Sequence, residues 1–430
     1  MTDTTGPRIY NLFPRLVGTV AAWKEALPRI ADMGFDWVFI NPFHETGGSG
    51  SLYAVRDPYT LNRIFDDGSG RPGEEQIADF CAAAERHGIS VMMDLVVNHT
   101  ADDAPLVHER PDWYVQDEDG NIQNPYALDI DTGQVTVWGD LAEIDYGKEH
   151  LRGEIADYWR RVAAHWAGHG VRGFRCDAAY KVPGDVWRII IDGVREARGD
   201  AVMAAETLGC APEQVEQLRP AGFDFLFNSS KWWDFKEGWL LDQYEQFRHI
   251  APSIAFPETH DTDRLINELT PGVDPEKGYR RRYMFAAAFS TGVMMTIGYE
   301  YGFRKPLHVV ETTPDDWETP SFDIRDFVRE VNRAKARHPV LNQEGPQQAM
   351  DVDGGAVVAI IRRANEGPGW ALTLVNIDLH NGHSVDQNRL GFLDLNNACE
   401  ITPGRDDEGF RGNSFDMEPG EVRVIVRREG

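Results

Sequence analysis

The stretch Gly170-Val-Arg-Gly-Phe-Arg-Cys-Asp177 carries apolar and β-prone residues between a glycine and an acidic residue. A short apolar run of this kind, bounded by a turn residue, is typical of a buried strand. A helical stretch follows it, and the same order of strand and then helix recurs through roughly the first 300 residues. This alternation indicates βα units arranged around a parallel sheet.

Eight such runs precede helical stretches, and they cover residues 8–13, 37–41, 90–97, 170–176, 201–205, 223–227, 253–256 and 292–297. Eight parallel strands with intervening helices predict an α/β fold, the closed (β/α)8 TIM barrel. The active site of this fold lies at the C-terminal ends of the strands. Polar residues that directly follow the eight runs are therefore the candidates for chemistry.

A long polar stretch, residues 100–140, interrupts the alternation after the third strand and has no helical pattern of its own. It predicts a short inserted subdomain. A connection of that length commonly forms a wall of the binding site. The alternative is a surface loop that takes no part in binding. The barrel itself would then consist of residues 1–99 and 141–338.

Another pattern begins after the helical stretch 324–336. Apolar and polar residues alternate over 356–361, 370–375 and 421–426, which is the period of half-buried strands. We therefore expect residues 339–430 to form a C-terminal antiparallel β-sandwich domain packed directly against the barrel.

Composition excludes several classes of partner. The chain of 430 residues has 70 acidic and 43 basic residues, a formal net charge of −27. This charge would repel nucleic acids and anionic lipid surfaces, so a neutral substrate is expected.

The polar N-terminus and the absence of an apolar run of about 18 residues predict a cytoplasmic protein with no membrane span. The four cysteines have no disulfide or zinc spacing and are interpreted as reduced.

The fourth strand ends with Arg175 and Asp177 on the same face, because alternate residues of a strand point to the same side. An arginine beside an aspartate lowers the pKa of the carboxyl and keeps it ionised, as a carboxylate nucleophile requires. The alternative is an ion pair that only ties the barrel interior together.

Two further acids follow strands five and seven. Glu206 ends an apolar strand whose low polarity would raise the pKa of the carboxyl and keep it protonated, as a general acid requires. Asp261 follows His260, which could donate a hydrogen bond to a sugar hydroxyl. Taken singly, either acid could be a helix N-cap.

Together, Asp177, Glu206 and Asp261 would converge on one barrel mouth. Clustered like charges cost energy, so the cluster indicates metal binding or acid/base catalysis. A catalytic metal would recruit several His, Asp or Glu ligands in close register, whereas a carboxylate pair beside Arg175 fits a glycosidase better. We expect no metal ligands here.

These residues belong to segments that resemble the signatures of the α-amylase family, glycoside hydrolase family 13. The family pattern D-x-x-x-N-H matches Asp94 to His99, G-F-R-x-D matches Gly173 to Asp177, the third signature is Glu206, and H-D matches His260-Asp261. The segment from Leu52 to Asn62 is similar to the family's G-Y-x-x-x-D-x-Y-x-x-N segment after strand two.

The resemblance implies a retaining double displacement with Asp177 as nucleophile, Glu206 as general acid/base and Asp261 as the third essential carboxylate. The substrate would be an α-glucan or a maltooligosaccharide, whose α-1,4-linked units are hydrolysed or transferred. The substrate-binding residues that the resemblance implies are Tyr53, Asp57, Asn98, His99, Arg175 and His260.

The stretch 165–171 together with Pro183 and Trp187 resembles the maltosyltransferase branch that uses maltose 1-phosphate. That branch carries a Lys-Tyr pair after strand eight, where this chain has Ser321-Phe322. A maltosyltransferase with such a donor is therefore one alternative, and a catalytically inactive carbohydrate-binding barrel is another.

No cofactor is implied. The insertion is shorter than in secreted amylases, where it helps to hold a calcium ion, so we expect no structural calcium; Asn98 is the residue that would bind one. The chain also departs from the family at Thr259, where asparagine is usual.

Overall fold

The computed structural model describes residues 6–128, 135–352, 355–405 and 414–428. Eight parallel strands close into a barrel in which each strand pairs with its neighbours in chain order. The barrel strands are Arg8–Leu12, Trp37–Ile40, Ser90–Leu95, Gly173–Cys176, Val202–Ala205, Phe225–Phe227, Ser253–Ala255 and Gly292–Thr296. All eight predicted strands are confirmed, and each lies within its predicted range.

Large apolar side chains fill the interior of the barrel. They come from seven of the eight strands or the residues just after them, and include Ile9, Phe39, Met92, Ala204, Phe225, Phe227, Ile254, Phe256 and Met294. Fully burying one large side chain of this kind contributes about 1.5–3 kcal/mol. The barrel is thus a packed core.

Helices surround the barrel and bury one face against it. The helix Arg325–Arg337, for example, buries Phe327, Val328 and Val331 at helical spacing. The longer helices are Val20–Asp32, Gly73–Arg86, Arg152–Gly168, Gly184–Ala197, Trp239–Phe247, Pro275–Phe289 and Arg325–Arg337. The shorter helices are Pro14–Val17, Pro105–Glu109, Pro212–Glu216 and Leu265–Glu268.

Short 3-10 helices complete many connections. They are Arg63–Phe65, Pro111–Trp113, Glu149–Leu151, Ala179–Lys181, Ser230–Trp232, Tyr299–Tyr301, Pro314–Asp316, Pro339–Asn342, Gln387–Leu390 and Leu395–Asn397. A hairpin of His44–Thr46 and Val55–Leu61 follows the second barrel strand.

The insertion after the third strand contains two small antiparallel pairs. His99–Ala101 pairs with Leu141–Glu143, and Tyr126–Leu128 pairs with Val135–Val137. The expectation of a segment without a helix was wrong, because Pro105–Glu109 forms one helical turn. Proline at the first helical position favours such a turn, since its missing N–H is not needed there.

The C-terminal region is antiparallel. Five strands form one sheet in the order Gln347–Asp351, Val357–Arg363, Trp370–Asn376, Val422–Arg427 and Ala398–Glu400. A second sheet pairs His383–Asp386 with Ser414–Met417. Val385 and Met417 of the small sheet share a core with Leu372 and Leu374 of the large one, so the sheets pack face to face. Among the described residues, no helix has the length and apolar character needed to cross a membrane.

Candidate active site

The three predicted carboxylates lie in one cavity at the C-terminal ends of the strands. Cys176 and Ala205 are partners in the register of strands four and five, so the residues that follow them, Asp177 and Glu206, are neighbours. Asp261 lies in the loop after strand seven. All three carboxylates line a cavity of about 490 Å³.

One buried guanidinium connects the acids at the base of this cavity. Arg175 Nη1 donates to Oδ1 of Asp177 at 2.6 Å and to both carboxylate oxygens of Asp94 at 3.0 and 3.1 Å. Its Nη2 lies 4.0 Å from Oε2 of Glu206. A single positive charge therefore faces three carboxylates, and they cannot all be ionised at low cost.

Asp94 and Glu206 relieve this repulsion because the pKa of each carboxyl group is raised, so that each can be neutral. Burial raises the pKa of Asp94 to about 6, although Arg175 opposes the change. Burial also raises the pKa of Glu206 to about 7, again against Arg175 and with a further contribution from Asp177. Glu206 is thus able to hold a proton near neutral pH, which is the property of a general acid.

Backbone groups fix the orientation of Glu206. Its Oε2 accepts a hydrogen bond from the N–H of Ala178 at 2.9 Å, and its Oε1 accepts one from the N–H of Leu208 at 2.7 Å. Ala178 has a φ of 40°, a left-handed conformation that non-glycine residues rarely adopt. The turn after Asp177 is therefore held in a strained form by its bond to Glu206, as is common at functional sites.

Tyr53 lines the cavity, and His260 packs against it. The Tyr53 hydroxyl donates to Oδ2 of Asp94 at 2.7 Å and lies 2.6 Å from Nε2 of His260. The two rings are parallel, with their centroids 5.6 Å apart. Asn41 Nδ2 donates to the same hydroxyl at 3.1 Å. These contacts place an aromatic face and an imidazole beside the acids.

Asp261 differs from the other two acids in its exposure, because 62 % of its side chain is accessible from the cavity. Its Oδ2 lies 2.9 Å from Nε2 of His260. Partial removal from solvent acts to raise the pKa of Asp261, but His260 and Arg175 outweigh this effect and lower it. Asp261 is therefore an ionised carboxylate facing the cavity.

Asn98 and His99 also line the cavity. His99 Nε2 lies 3.1 Å from the carbonyl oxygen of Tyr53, and burial lowers the pKa of this histidine. The side-chain oxygen of Asn98 is buried and has no hydrogen-bond partner among the described residues.

An unpartnered oxygen such as that of Asn98 could bind a calcium ion. Calcium takes about six to eight oxygen ligands. In the described ranges, however, no three His, Cys, Asp or Glu side chains are arranged to hold a metal. The expectation that the chain holds no structural calcium stays a prediction, because backbone carbonyl and side-chain amide oxygens also bind this ion.

Two predicted site residues do not line this cavity. His260 contacts Tyr53 and Asp261, which do line it, whereas Asp57 is bound to groups of its own strand. Its Oδ1 accepts the backbone N–H of Tyr59 at 2.9 Å, and its Oδ2 accepts the hydroxyl of Thr60 at 2.7 Å. The cavity is lined without it. The carboxylate instead satisfies polar groups of its own strand, which the sequence pattern could not distinguish from a contact with substrate.

Several residues that line the cavity were missed from the sequence, and four of them carry an aromatic ring or a positive charge. Trp138 belongs to the insertion, Tyr180 and Lys181 follow the nucleophile turn, and Trp232 follows strand six. Aromatic residues close to predicted strand ends were an available signal for Tyr180 and Trp232. Trp138 lies far from any barrel strand in the sequence, so its position depends on the fold of the insertion.

Lys181 contributes a positively charged side chain to the cavity lining. Its Nζ lies 5.4 Å from the ring centroid of Trp138 and 3.5 Å from the carbonyl oxygen of Tyr126. No carboxylate lies within ion-pair distance of Lys181 in the part of the chain that the structure describes. By contrast, Phe322 packs 4.9 Å from the ring of Tyr279, and neither Ser321 nor Phe322 lines the cavity.

A closed parallel barrel with a carboxylate pair, a third acid and a shared arginine at the strand ends defines a glycosidase-type α/β barrel. Residues 5–130 match the family model "Glycogen debranching enzyme, glucanotransferase domain". The chain is 29% identical over 384 residues to an α-1,4-glucan:maltose-1-phosphate maltosyltransferase of Burkholderia pseudomallei, covering 87% of this chain and 33% of the relative. The corresponding enzyme of Myxococcus xanthus is 26% identical over 411 residues, covering 86% of this chain and 58% of the relative.

Among solved structures, an α-amylase from Lactobacillus plantarum superimposes with a TM-score of 0.76 at 21% identity, over 100% of both chains. At that identity the likeness concerns the fold. These comparisons support the resemblance of the chain to the α-amylase family, glycoside hydrolase family 13, near its maltosyltransferases. The resemblance drawn from the four signatures is thereby confirmed. The chain spans 33% of the length of the Burkholderia pseudomallei relative and 58% of the length of the Myxococcus xanthus relative.

Proposed function

We propose that this protein is a retaining enzyme that hydrolyses or transfers α-1,4-linked glucosyl or maltosyl units of α-glucans by double displacement. The observation that carries the proposal is the arrangement around Arg175. It binds Asp177 directly at 2.6 Å and lies 4.0 Å from Glu206, whose pKa is raised to about 7. Arg175 thus stabilises Asp177 as a carboxylate that can attack, while the neighbouring Glu206 retains a proton.

In the first step, a carboxylate oxygen of Asp177 attacks the anomeric carbon as the bond from that carbon to the glycosidic oxygen breaks. The proton of Glu206 moves to the departing oxygen, so the leaving sugar departs as a neutral alcohol. In the second step, Glu206 removes a proton from water or from a sugar hydroxyl, which attacks the same carbon and releases Asp177. Two inversions give net retention.

The remaining residues of the cavity would bind the reacting sugar. Tyr53 offers its ring face, and His260 and His99 hold Tyr53 in place through contacts with its hydroxyl and its carbonyl oxygen. Asp261 stays ionised and exposed, so it can accept hydrogen bonds from sugar hydroxyls and favour positive charge at the anomeric carbon in the transition state. Asp94 and Asn41 act through Tyr53 and Arg175 and are positioning residues.

Product stereochemistry tests this proposal. The wild-type protein is incubated with maltotetraose, and proton NMR follows the newly formed anomeric signals before mutarotation. We expect the α-anomer to appear first, and we expect Asp177→Asn to reduce turnover by at least about a thousandfold while the far-UV circular dichroism stays unchanged. First appearance of the β-anomer, or full activity of the variant, would contradict the mechanism.

A second candidate is maltosyl transfer from maltose 1-phosphate, the donor in the names of both curated relatives. Lys181, which has no carboxylate partner among the described residues, favours it, because a phosphate leaving group needs a cation near Glu206. The segment that carries Lys181 is bound to Glu206 through the N–H groups of Ala178 and Ala179. This second candidate differs from the first only in the leaving group and keeps Asp177 as nucleophile.

Lys181→Met tests the second candidate by comparison of two donors. If a glycosyl phosphate is used, kcat/KM for maltose 1-phosphate should fall about a hundredfold and that for maltotetraose much less, since loss of a charged hydrogen bond costs about 1.5–3 kcal/mol. Lys181→Arg, which keeps the charge, is the matched control. Equal effects on both donors, or no turnover of maltose 1-phosphate, would reject the phosphorylated donor.

A further inference from the structure

A second cavity lies outside the barrel, between the helix Pro275–Phe289 and the C-terminal domain. Its volume is about 300 Å³. One wall consists mostly of residues from that helix, and the other consists mostly of two turns of the C-terminal domain, residues 402–405 and 418–421. Among the described residues, none lines both this cavity and the catalytic one. We call it the interdomain cavity.

The interdomain cavity is lined by more basic than acidic side chains. The basic residues are Lys277, Arg280, Arg281 and Arg405, and the acidic residues are Glu418 and Glu421. The whole chain has a formal net charge of −27, so this local excess of positive charge opposes the overall balance. Basic residues gathered in one cavity attract anions. An anion is therefore the class of ligand that the cavity favours.

The two acids of the cavity are each paired with a basic neighbour. Glu421 Oε1 accepts a hydrogen bond from Nε of Arg405 at 2.8 Å. Glu418 Oε2 lies 3.7 Å from Nζ of Lys277. In the part of the chain that the structure describes, neither acid forms an ion pair with Arg281. The acids of the cavity thus leave the charge of Arg281 unbalanced.

Arg281 is a buried cation without a polar partner among the described residues. Only 9 % of the residue is exposed, and its Nε is fully buried and accepts no hydrogen-bond partner. Its Cζ lies 5.2 Å from the ring centroid of Phe235. Burial, together with Arg282, lowers the pKa of Arg281 to about 10, so the guanidinium stays charged at neutral pH. A buried charge without a partner costs free energy, and a bound anion would offset that cost.

We propose that the interdomain cavity binds the phosphate group of a small molecule, with Arg281 as the principal ligand. A guanidinium presents its N–H donors in a planar fork that matches two phosphate oxygens. A volume of about 300 Å³ is much larger than a halide ion needs, and Met284 and Phe327 give part of the wall an apolar surface that suits an organic group. The ligand chemistry is that of a phosphate dianion, either free or as a monoester.

A ligand in this cavity would contact both domains. Arg281 belongs to the barrel helix, whereas Arg405 belongs to a turn of the C-terminal domain. Because the folded chain alone brings these residues together, binding stabilises the folded state by mass action. Binding here requires neither Asp177 nor Glu206, so a failure of this proposal would leave the proposed function intact.

Calorimetric titration of the whole chain tests the proposal. The probes are inorganic phosphate and glucose 6-phosphate, each at the same ionic strength set with potassium chloride. We expect wild type to bind at least one probe and Arg281→Met to bind it at least about tenfold more weakly, since a charge-assisted hydrogen bond is lost. Arg281→Lys keeps the charge without the fork and should give an intermediate affinity. Tighter binding of glucose 6-phosphate identifies a monoester as the ligand, and equal binding identifies free phosphate.

Arg333→Met is the matched control, because Arg333 is exposed on the neighbouring helix Arg325–Arg337 and does not line the cavity. It removes the same charge and should leave both affinities unchanged. Lys181→Met reports binding in the catalytic cavity instead. Loss of binding in Lys181→Met with full binding in Arg281→Met, or no binding of either probe by wild type, would overturn the proposal.

Thermal unfolding separates this role of Arg281 from packing on Phe235. Without phosphate, Arg281→Met should be at least as stable as wild type, because the substitution removes a buried charge that has no partner among the described residues. A saturating concentration of the tighter probe should raise the Tm of wild type by about 1–2 °C and that of Arg281→Met by much less. Destabilisation of Arg281→Met in phosphate-free buffer, with no rise in the Tm of wild type on addition of the probe, would overturn the proposal and leave Arg281 a packing residue.

Discussion

Arg175 Nη1 lies 2.6 Å from Oδ1 of Asp177, and through this guanidinium the proposed nucleophile is connected to Asp94. The same nitrogen also binds Asp94, and the guanidinium is only 6 % exposed. A buried cation shared among acids contributes little when intact, but its removal leaves the acids uncompensated. The charge state of the whole site therefore depends on one side chain.

Replacement of this arginine should affect both stability and catalysis. We expect Arg175→Leu to lower the free energy of unfolding at pH 8 by about 3–5 kcal/mol, because Asp94 and Asp177 lose their counter-ion. Part of that loss should be recovered at pH 5, where the raised pKa of Asp94, about 6, allows it to be neutral. Urea denaturation at both pH values measures the effect, with Arg195→Leu on the outer surface as control. A pH-independent loss would contradict the account.

The pH dependence of activity should reflect the protonation state of Glu206. Because its pKa is raised to about 7, the protonated acid disappears as pH increases through that value. We predict that kcat/KM for maltotetraose falls about tenfold per unit well above pH 7. The comparison substrate is α-maltosyl fluoride, whose leaving group needs no proton, so its kcat/KM should lack this decline. The same decline for both substrates would assign it to another group.

Lowering the pH should destabilise the folded protein, because the buried His44 resists protonation. This histidine is buried against Phe43 and Trp166, with ring centroids 4.5 and 5.4 Å away. Neither ring nitrogen has a hydrogen-bond partner among the residues that the structure covers. Burial lowers the pKa of His44 from its ordinary 6.5 to about 3, so the unfolded state binds the proton more tightly. Stability is therefore lost as pH falls below about 6.5, and by pH 5 this one group costs about 2 kcal/mol.

Thermal or urea unfolding at pH 7 and pH 5 tests this prediction. His44→Phe should remove about 2 kcal/mol of the difference between the two pH values. His87→Phe, at an exposed position of a helix end, should leave the difference as in the wild type. An unchanged pH difference in His44→Phe would contradict the assignment.

The barrel could be read from the sequence because each strand is a short apolar run followed by a helix, a pattern that local residues determine. Asp177, Glu206 and Asp261 were predictable for the same reason, since their positions depend on strand ends. Asp57 lies outside the cavity lining, and a motif match does not reveal that its oxygens accept hydrogen bonds from Tyr59 and Thr60.

Other parts of the site depend on contacts between distant segments. Trp138 reaches the cavity only because the insertion folds back onto the barrel, with His99–Ala101 paired to Leu141–Glu143. Lys181 is distinguished by the absence of a carboxylate partner among the described residues, a property that no sequence window contains. The helical turn Pro105–Glu109 was missed because five residues are too few for a periodic pattern.

The central claim, that Asp177 is the nucleophile of a retaining enzyme, is tested most directly by trapping the covalent intermediate. The protein is incubated with 5-fluoro-α-glucosyl fluoride, digested with pepsin at low pH and analysed by mass spectrometry. We predict one equivalent of fluoroglucosyl ester, located on Asp177 by fragmentation and absent from Asp177→Asn. An adduct on a different residue, or turnover of the reagent without any adduct in wild type and in Glu206→Gln, would contradict the account.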